Sequence, residues 1–62
     1  MSKDDAEALV AEIARRWGRE YKGVSMWVEP SRYRVIVTHR ASNTQFDTFD
    51  PQWSPRDQRV TA

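Results

Sequence analysis

Few side chains in this sequence have a type and spacing that could support catalysis or metal binding. His39 is the single histidine and cysteine is absent, so no recognisable set of metal ligands is present. We interpret His39 as a strand-end histidine partly covered by a helix. Asp47 and Asp50, in the segment DTFD, could bind a cation or exchange protons. Neither a glycine-rich loop nor further ligands accompany them, so solvated aspartates at a strand end and a turn are the simpler interpretation.

Nucleophilic and phosphate-binding motifs are also missing from the sequence. No serine lies in a nucleophile-elbow context, and the glycines Gly18 and Gly23 form no phosphate-binding loop. A chain of 62 residues also has little room for a pocket that excludes water. We therefore predict a protein that is not an enzyme and that uses no cofactor and no metal.

Length and composition indicate one small domain. A domain of this size buries only about 60% of its unfolded surface, so a partner or a second copy can supply part of its stability. The net charge of +1 is too balanced to indicate nucleic-acid binding by itself, and 39% hydrophobic residues are too many for a disordered chain. No apolar run approaches a membrane span and the acidic N-terminus does not resemble a signal peptide. We expect a complete reading frame and a cytoplasmic protein.

The stretch from residue 24 to 40 has the pattern of a β-hairpin with a type I turn at Pro30 and Ser31. Side chains alternate between the two faces of a strand, so this turn determines which residues lie opposite each other. The resulting pairs on the apolar face are Val24 with Val37, Met26 with Val35, and Val28 with Tyr33. A slip by one residue would bring Trp27 and its polar neighbours into the core, so we expect the pattern to resist it.

The opposite face of this hairpin carries the clearest functional signal. Trp27 is predicted to lie there across from Arg34, where a cation–π contact is feasible. Tryptophan and arginine are enriched at the hot spots of protein interfaces. The predicted contact face consists of Trp27, Arg32, Arg34, Ile36 and Arg40. Two alternatives remain open: Trp27 only shields the sheet together with arginine stems, or the strand parity differs and Trp27 is buried.

The N-terminal segment has the apolar spacing of an amphipathic helix from about residue 4 to about residue 22. Ser2 is a suitable N-cap, and Gly23 is the preferred C-terminal residue, although the helix could also end at Gly18. Within this helix, Glu12 can form an ion pair with Arg16 at the (i, i+4) spacing.

A third strand is predicted at about residues 44–49, after a short turn. Phe46 and Phe49 have opposite parity, and we expect Phe46 to face the core while Phe49 lies on the open face or is turned inward by a bulge. The tail, residues 51–62, is expected to be mostly irregular, with Trp53 folded back onto the edge of the core.

These elements predict an α+β fold in which one helix covers a three-stranded antiparallel sheet, in the order α-β-β-β. The other face of such a sheet is open to solvent. The first two strands are predicted at about residues 24–28 and 33–40. The predicted core residues are Leu9, Val10, Ile13, Trp17, Val24, Met26, Val28, Val35, Val37 and Phe46.

We expect a protein that acts by contact with another protein or with a second copy of itself, through the Trp/Arg face or through a strand added at a sheet edge. A small, compact chain without catalytic residues is typical of stoichiometric inhibitors, such as those of phages and mobile elements, anti-CRISPR proteins among them. That likeness is one of size and type, without a shared motif. The alternative is a nucleic-acid-binding protein that uses the same face together with Arg15, Arg16, Arg19 and Lys22. No membrane and no small-molecule substrate are expected.

The strand pattern leads to a first prediction. The variant Trp27→Ala is expected to keep the fold and to weaken binding of the partner, because an exposed indole contributes to contact rather than to the core. Circular dichroism and thermal melting measure the first part. Loss of the fold would show that Trp27 is a core residue and that the predicted face is wrong.

Overall fold

The computed structural model describes residues 1–55, which form one helix packed on a three-stranded antiparallel sheet. The elements are α1 (Lys3–Trp17), β1 (Tyr21–Glu29), β2 (Arg32–His39) and β3 (Thr44–Thr48). The strand order is β1-β2-β3, and α1 lies mainly over β1. The predicted α-β-β-β architecture is therefore confirmed, while the part of the predicted irregular tail after residue 55 lies outside the described residues.

Helix α1 begins at the predicted cap. The backbone N–H of Asp5 donates to Ser2 Oγ at 3.1 Å, and Asp4 and Asp5 place negative charge in the first turn, where the helix dipole favours it. The buried stripe of α1 consists of Ala6, Leu9 and Ile13. Within the described part of the chain, no helix has the length and apolar character needed to cross a membrane.

The helix ends more than one turn earlier than predicted, at Trp17. Gly18 has φ −61° and ψ −19°, and a Cβ on this residue would collide with the carbonyl oxygen of Ala14. Only glycine fits at this closing turn, so the earlier of the two considered ends is the observed one. Tyr21, predicted to be helical, is the first residue of β1, and Gly23 lies within that strand.

The hairpin between β1 and β2 contains a β-bulge. The loop 30–31 is closed by the pair of Glu29 and Arg32, but the register shifts by one residue between Trp27 and Glu29, so Val28 is the extra residue. No residue of this turn has a positive φ. A two-residue loop without positive φ does not match the natural twist of a hairpin, and the added twist of a bulge accommodates the difference.

The bulge exchanges the two faces of β1 for all residues before Val28, compared with the prediction. Val24 pairs with Ile36 and Met26 pairs with Arg34, one residue away from the predicted pairs. Val24 and Met26 consequently lie on the open face of the sheet, where they are 47% and 40% exposed. Their predicted place in the core is wrong.

Small residues of β1 face the helix instead. Gly23 pairs with Val37, and a Cβ on Gly23 would lie only 3.1 Å from Cδ1 of Ile13. Ser25, which pairs with Val35, is the next residue on this face. The absence of large side chains on this part of β1 lets α1 lie close to the sheet.

Strand β3 follows a turn that contains Asn43 with φ 60°, a left-handed conformation that asparagine tolerates. Phe46 pairs with Val37 and shares its helix-side face, which confirms the predicted parity. The guanidinium of Arg32 lies 4.4 Å from the ring centroid of Phe49. Phe49 therefore lies on the open face, as predicted.

The chain after β3 returns to the helix side of the sheet and contributes Trp53 to the core. Its ring meets the rings of Trp17 and Tyr21 edge to face, with centroid distances of 6.4 and 6.0 Å. Trp53 was expected at the core edge and is only 4% exposed.

The observed core partly overlaps the predicted one. It consists of Ala6, Leu9, Ile13, Val35, Val37 and Trp53. Val10 and Trp17 are half-buried against this core, and Val28 and Phe46 are also half-buried.

Trp53 and Trp27 differ strongly in exposure, so their alanine variants form a matched pair for a stability test. Trp53→Ala is expected to lower the free energy of unfolding by about 3–5 kcal/mol, because it leaves a cavity in the core. Trp27→Ala should cost less than about 1 kcal/mol, because Trp27 is 60% exposed. Urea denaturation followed by circular dichroism measures both, and equal losses would contradict the described core.

Candidate interaction surfaces

The residues of the predicted contact face do not all share one side of the sheet. Arg34 and Ile36 lie on the open face, where they pair with Met26 and Val24. Trp27 is exposed but pairs with Tyr33, which packs against the core, so Trp27 belongs to the helix side of the sheet. The predicted contact between Trp27 and Arg34 is therefore wrong.

Apolar residues from β1 and from the end of β3 take the place of Trp27 on the open face. Together with β2 they form a surface that we call the open-face patch, which consists of Val24, Met26, Arg34, Ile36 and Phe49. Its apolar members stand beside each other on an uncovered sheet. A group of large exposed apolar side chains is typical of a site at which another molecule binds.

Arg34 is held across the sheet within this patch. Its Nη1 donates to Oδ2 of Asp47 at 3.1 Å, and its Nη2 donates to the sulfur of Met26 at 3.6 Å. Its Nε is buried and has no hydrogen-bond partner among residues 1–55. The contacts with Asp47 and Met26 hold the guanidinium against the sheet, so less rotamer entropy is lost on binding.

Arg32 covers one end of the patch. Its guanidinium lies over the ring of Phe49, and its Nη1 is 3.5 Å from Oε1 of Glu29. Both side chains of this ion pair are more than half exposed, so the contact with the ring contributes more to its position than the ion pair does.

A second surface lies where the end of α1 meets the start of β1. A cleft of about 720 Å³ is lined by the basic residues Arg15, Arg16, Arg19, Lys22 and Arg40, and we call it the basic cleft. The structure thus brings together all four residues of the nucleic-acid alternative. Arg40, predicted for the contact face, joins them, and its Nε donates to the carbonyl oxygen of Gly18 at 3.0 Å.

One carboxylate outside the lining of this cleft holds two of its arginines. Glu12 accepts from Arg15 at 2.7 Å and from Arg16 at 3.2 Å, which confirms the predicted pair and adds a second. The hydrogen bond from Arg15, followed by its charge and by the contacts with Arg16, outweighs desolvation and lowers the pKa of Glu12. The side chains of Arg19 and Lys22 form no hydrogen bond or ion pair with any other residue in the described range.

The residues considered for chemistry have structural contacts. His39 Nδ1 lies 2.9 Å from Ser42 Oγ, which lies 2.8 Å from Thr44 Oγ1, so these side chains tie the turn into β3 together. The ring of Tyr21, 5.0 Å from that of His39, covers the histidine. The cover expected from a helix is thus provided by a neighbouring strand.

The two aspartates of DTFD are also engaged. Asp47 accepts from Arg34, and Oδ1 of Asp50 accepts from the backbone N–H of Gln52 at 2.8 Å. Among the described residues, no three or more histidine, cysteine, aspartate or glutamate side chains are grouped so that they could hold a metal ion.

Comparison with known proteins gives no matching family model, and it finds no significant similarity to a curated protein or to a solved structure. The arguments about function therefore rest on the geometry of this chain.

Sequence reasoning missed Val24 and Met26 as surface residues because it extended the turn register through β1 without interruption. A signal for the bulge was present in the turn. Pro30 and Ser31 include no glycine or asparagine, the residues that primed two-residue hairpin turns require. An unprimed turn of this length indicates that one strand contains an extra residue.

The contacts of Glu12 lead to a prediction about its titration. Arg15→Gln is expected to raise the pKa of Glu12 toward its usual value, because it removes the strongest contact that favours the charged form. Because the folded-state pKa is lowered, the stabilisation from this carboxylate is present above its unfolded pKa and is lost as the pH falls through the folded pKa. Carboxyl NMR titration measures the change. Arg19→Gln serves as the control, and an equal shift in that variant would contradict the assignment.

Proposed function

We propose that this protein is a non-enzymatic interaction module that binds another protein through the open-face patch and acts as a stoichiometric regulator or inhibitor in the cytoplasm. The observation that carries the proposal is the exposure of Val24, Met26 and Phe49 on an uncovered sheet face, next to a fixed Arg34.

The exposed apolar side chains supply the driving force for binding. Removing apolar surface from water is the main favourable term in most protein association, and Val24, Met26 and Phe49 are each at least 40% exposed. Methionine, aromatic residues and arginine are also the residue types enriched at protein interfaces. The composition of the patch therefore suits a protein partner.

The patch is presented by a rigid scaffold. Its residues lie on or directly after paired strands, and α1 supports the opposite face of β1 and β2. A surface built on regular elements keeps its shape, so less binding free energy is spent on ordering it.

Charge favours a different protein over a second copy as the partner. Arg32 and Arg34 flank the apolar centre, and Asp47 is already engaged by Arg34. Two copies placed face to face would bring these arginines near each other, which costs free energy. A partner with an apolar centre and a rim of carboxylates is complementary to the patch.

The variant Val24→Glu tests this proposal. It is expected to reduce partner affinity at least tenfold, because it buries an unpaired carboxylate between the apolar centre of the patch and the apolar centre of the partner. Ala11→Glu is the matched control, since it adds the same charge at an exposed position of α1. The partner is captured from a lysate of the source organism and purified, and the affinity and stoichiometry of each variant are then measured by calorimetry.

Two results would contradict the proposal. The first is equal binding by the wild type and by Val24→Glu, which would place the interface elsewhere. The second is a concentration-dependent dimer in sedimentation that Val24→Glu abolishes, because the patch would then be covered by a second copy. The same assay decides the role of Trp27: loss of binding in Trp27→Ala would extend the contact to the helix side of β1.

A further inference from the structure

The basic cleft continues onto the sheet. A second depression, of about 400 Å³, is lined by Lys22, Thr38, Arg40, Asn43 and Gln45. Lys22 and Arg40 line both depressions. The two therefore meet, and they form a concave path, which we call the basic track, from the end of α1 across the edge of β1 to the turn before β3.

Charge is concentrated along this track although the whole chain is nearly neutral. Half of the ten lysines and arginines line the basic cleft, and Glu20 is the single carboxylate among the described residues that line either depression. Glu12 borders the cleft through its ion pairs with Arg15 and Arg16. Asp4 and Asp5 lie farther away in the first turn of α1, and Asp47 lies on β3. The field of the track thus attracts anions in spite of a net charge of only +1.

Several donors of the track are free to meet a ligand. Arg19 and Lys22 are exposed, and their side chains have no hydrogen-bond or ion-pair partner within residues 1–55. Arg40 uses its Nε for Gly18 and has no other side-chain hydrogen bond in the described part of the chain. The amides of Asn43 and Gln45 add neutral donors at the far end.

The contacts of the aromatic rings in the cleft indicate whether a nucleic acid would be recognised by its bases or by its backbone. Trp17 and Tyr21 meet Trp53 edge to face, at interplanar angles of 84° and 70°, and Arg16 lies against the ring of Trp17 at 5.3 Å. These rings are occupied by internal contacts, so they do not serve as stacking platforms for bases. Without stacking of bases, the track can recognise a ligand only through charges along an extended path. A phosphodiester chain offers such regularly spaced charges.

We propose that the basic track binds the phosphate backbone of a single-stranded nucleic acid without sequence preference. Depressions of about 720 and 400 Å³ are small compared with the width of a duplex, whereas a flexible single strand can follow them. Cations that line a groove and follow the backbone are typical of such binding. The track adjoins the open-face patch, because Lys22 and Thr38 lie two residues from Val24 and Ile36 on the same face of the sheet. The track and the patch share no residue, so variants can test this inference separately from the proposed protein partner.

Fluorescence anisotropy with a labelled oligothymidylate of about 15 nucleotides tests the inference, because site sizes of single-strand binders are about 4–16 nucleotides. The double variant Arg19→Gln/Lys22→Gln is expected to bind roughly tenfold more weakly near 0.1 M salt. The slope of log affinity against log salt should fall by about 1.4, since each lost phosphate contact to a single strand removes about 0.7.

Lys3→Glu is the matched control, because it lowers the net charge by the same two units at an exposed position outside the track. This control should keep most of the affinity and the salt slope of the wild type. An equal loss in the double variant and in the control would show that only net charge matters, and it would overturn the proposed track.

A gain of affinity provides a second test that unfolding cannot imitate. Glu12→Gln is expected to tighten binding several-fold, because it releases Arg15 and Arg16 from their carboxylate. Glu7→Gln, which removes the same charge near the other end of α1, should change affinity much less. Equal gains in the two variants would contradict the assignment of the track.

Two further outcomes would overturn the inference. The first is no detectable binding of the oligonucleotide at 50 mM salt. The second is displacement of the bound oligonucleotide by polyglutamate at an equal concentration of charges, because the track would then recognise an acidic protein surface and not a phosphate backbone.

Discussion

The bulge at Val28 determines which side of β1 faces the helix, and most other features of the molecule depend on that choice. Because side chains alternate along a strand, one extra residue exchanges the two faces of everything before it. With the bulge, Gly23 lies under Ile13 and leaves room for α1. The close contact of helix and sheet and the exposure of Val24 are therefore two results of a single local irregularity.

The two surfaces of the molecule differ in the physical basis of recognition. On the open face, a contact depends on apolar area and on one arginine that is already held in place by Asp47. At the end of α1, five long cationic side chains line a concave path, and those of Arg19 and Lys22 have no partner within residues 1–55. At 0.1 M salt, the attraction between exposed charges is largely screened beyond about 10 Å. The free energy of burying apolar area depends little on such a salt concentration. The salt dependence of affinity therefore distinguishes the two kinds of binding.

The sequence was sufficient for the architecture because each element has a strong local signal. The apolar spacing of α1, the turn at Pro30 and the parity of Phe46 predict the layers and the strand order correctly. The faces of β1 could not be read in this way. Valine and methionine at alternate positions suit the buried face of a strand, yet the helix requires small residues there. The turn indicates an extra residue without giving its position, and the three-dimensional fit to Ile13 favours the observed faces.

The contacts of Trp53 in the core join parts of the chain that are far apart in sequence. The helix and the β1–β2 hairpin bring together residues that are near in sequence, and such contacts form early and at little entropic cost. The contacts of Trp53 with Trp17 and Tyr21 close a far longer loop, which includes the whole sheet. Trp53 thus joins the end of the helix to the start of β1. Transient release of Trp53 would open the molecule at the junction that holds the basic cleft.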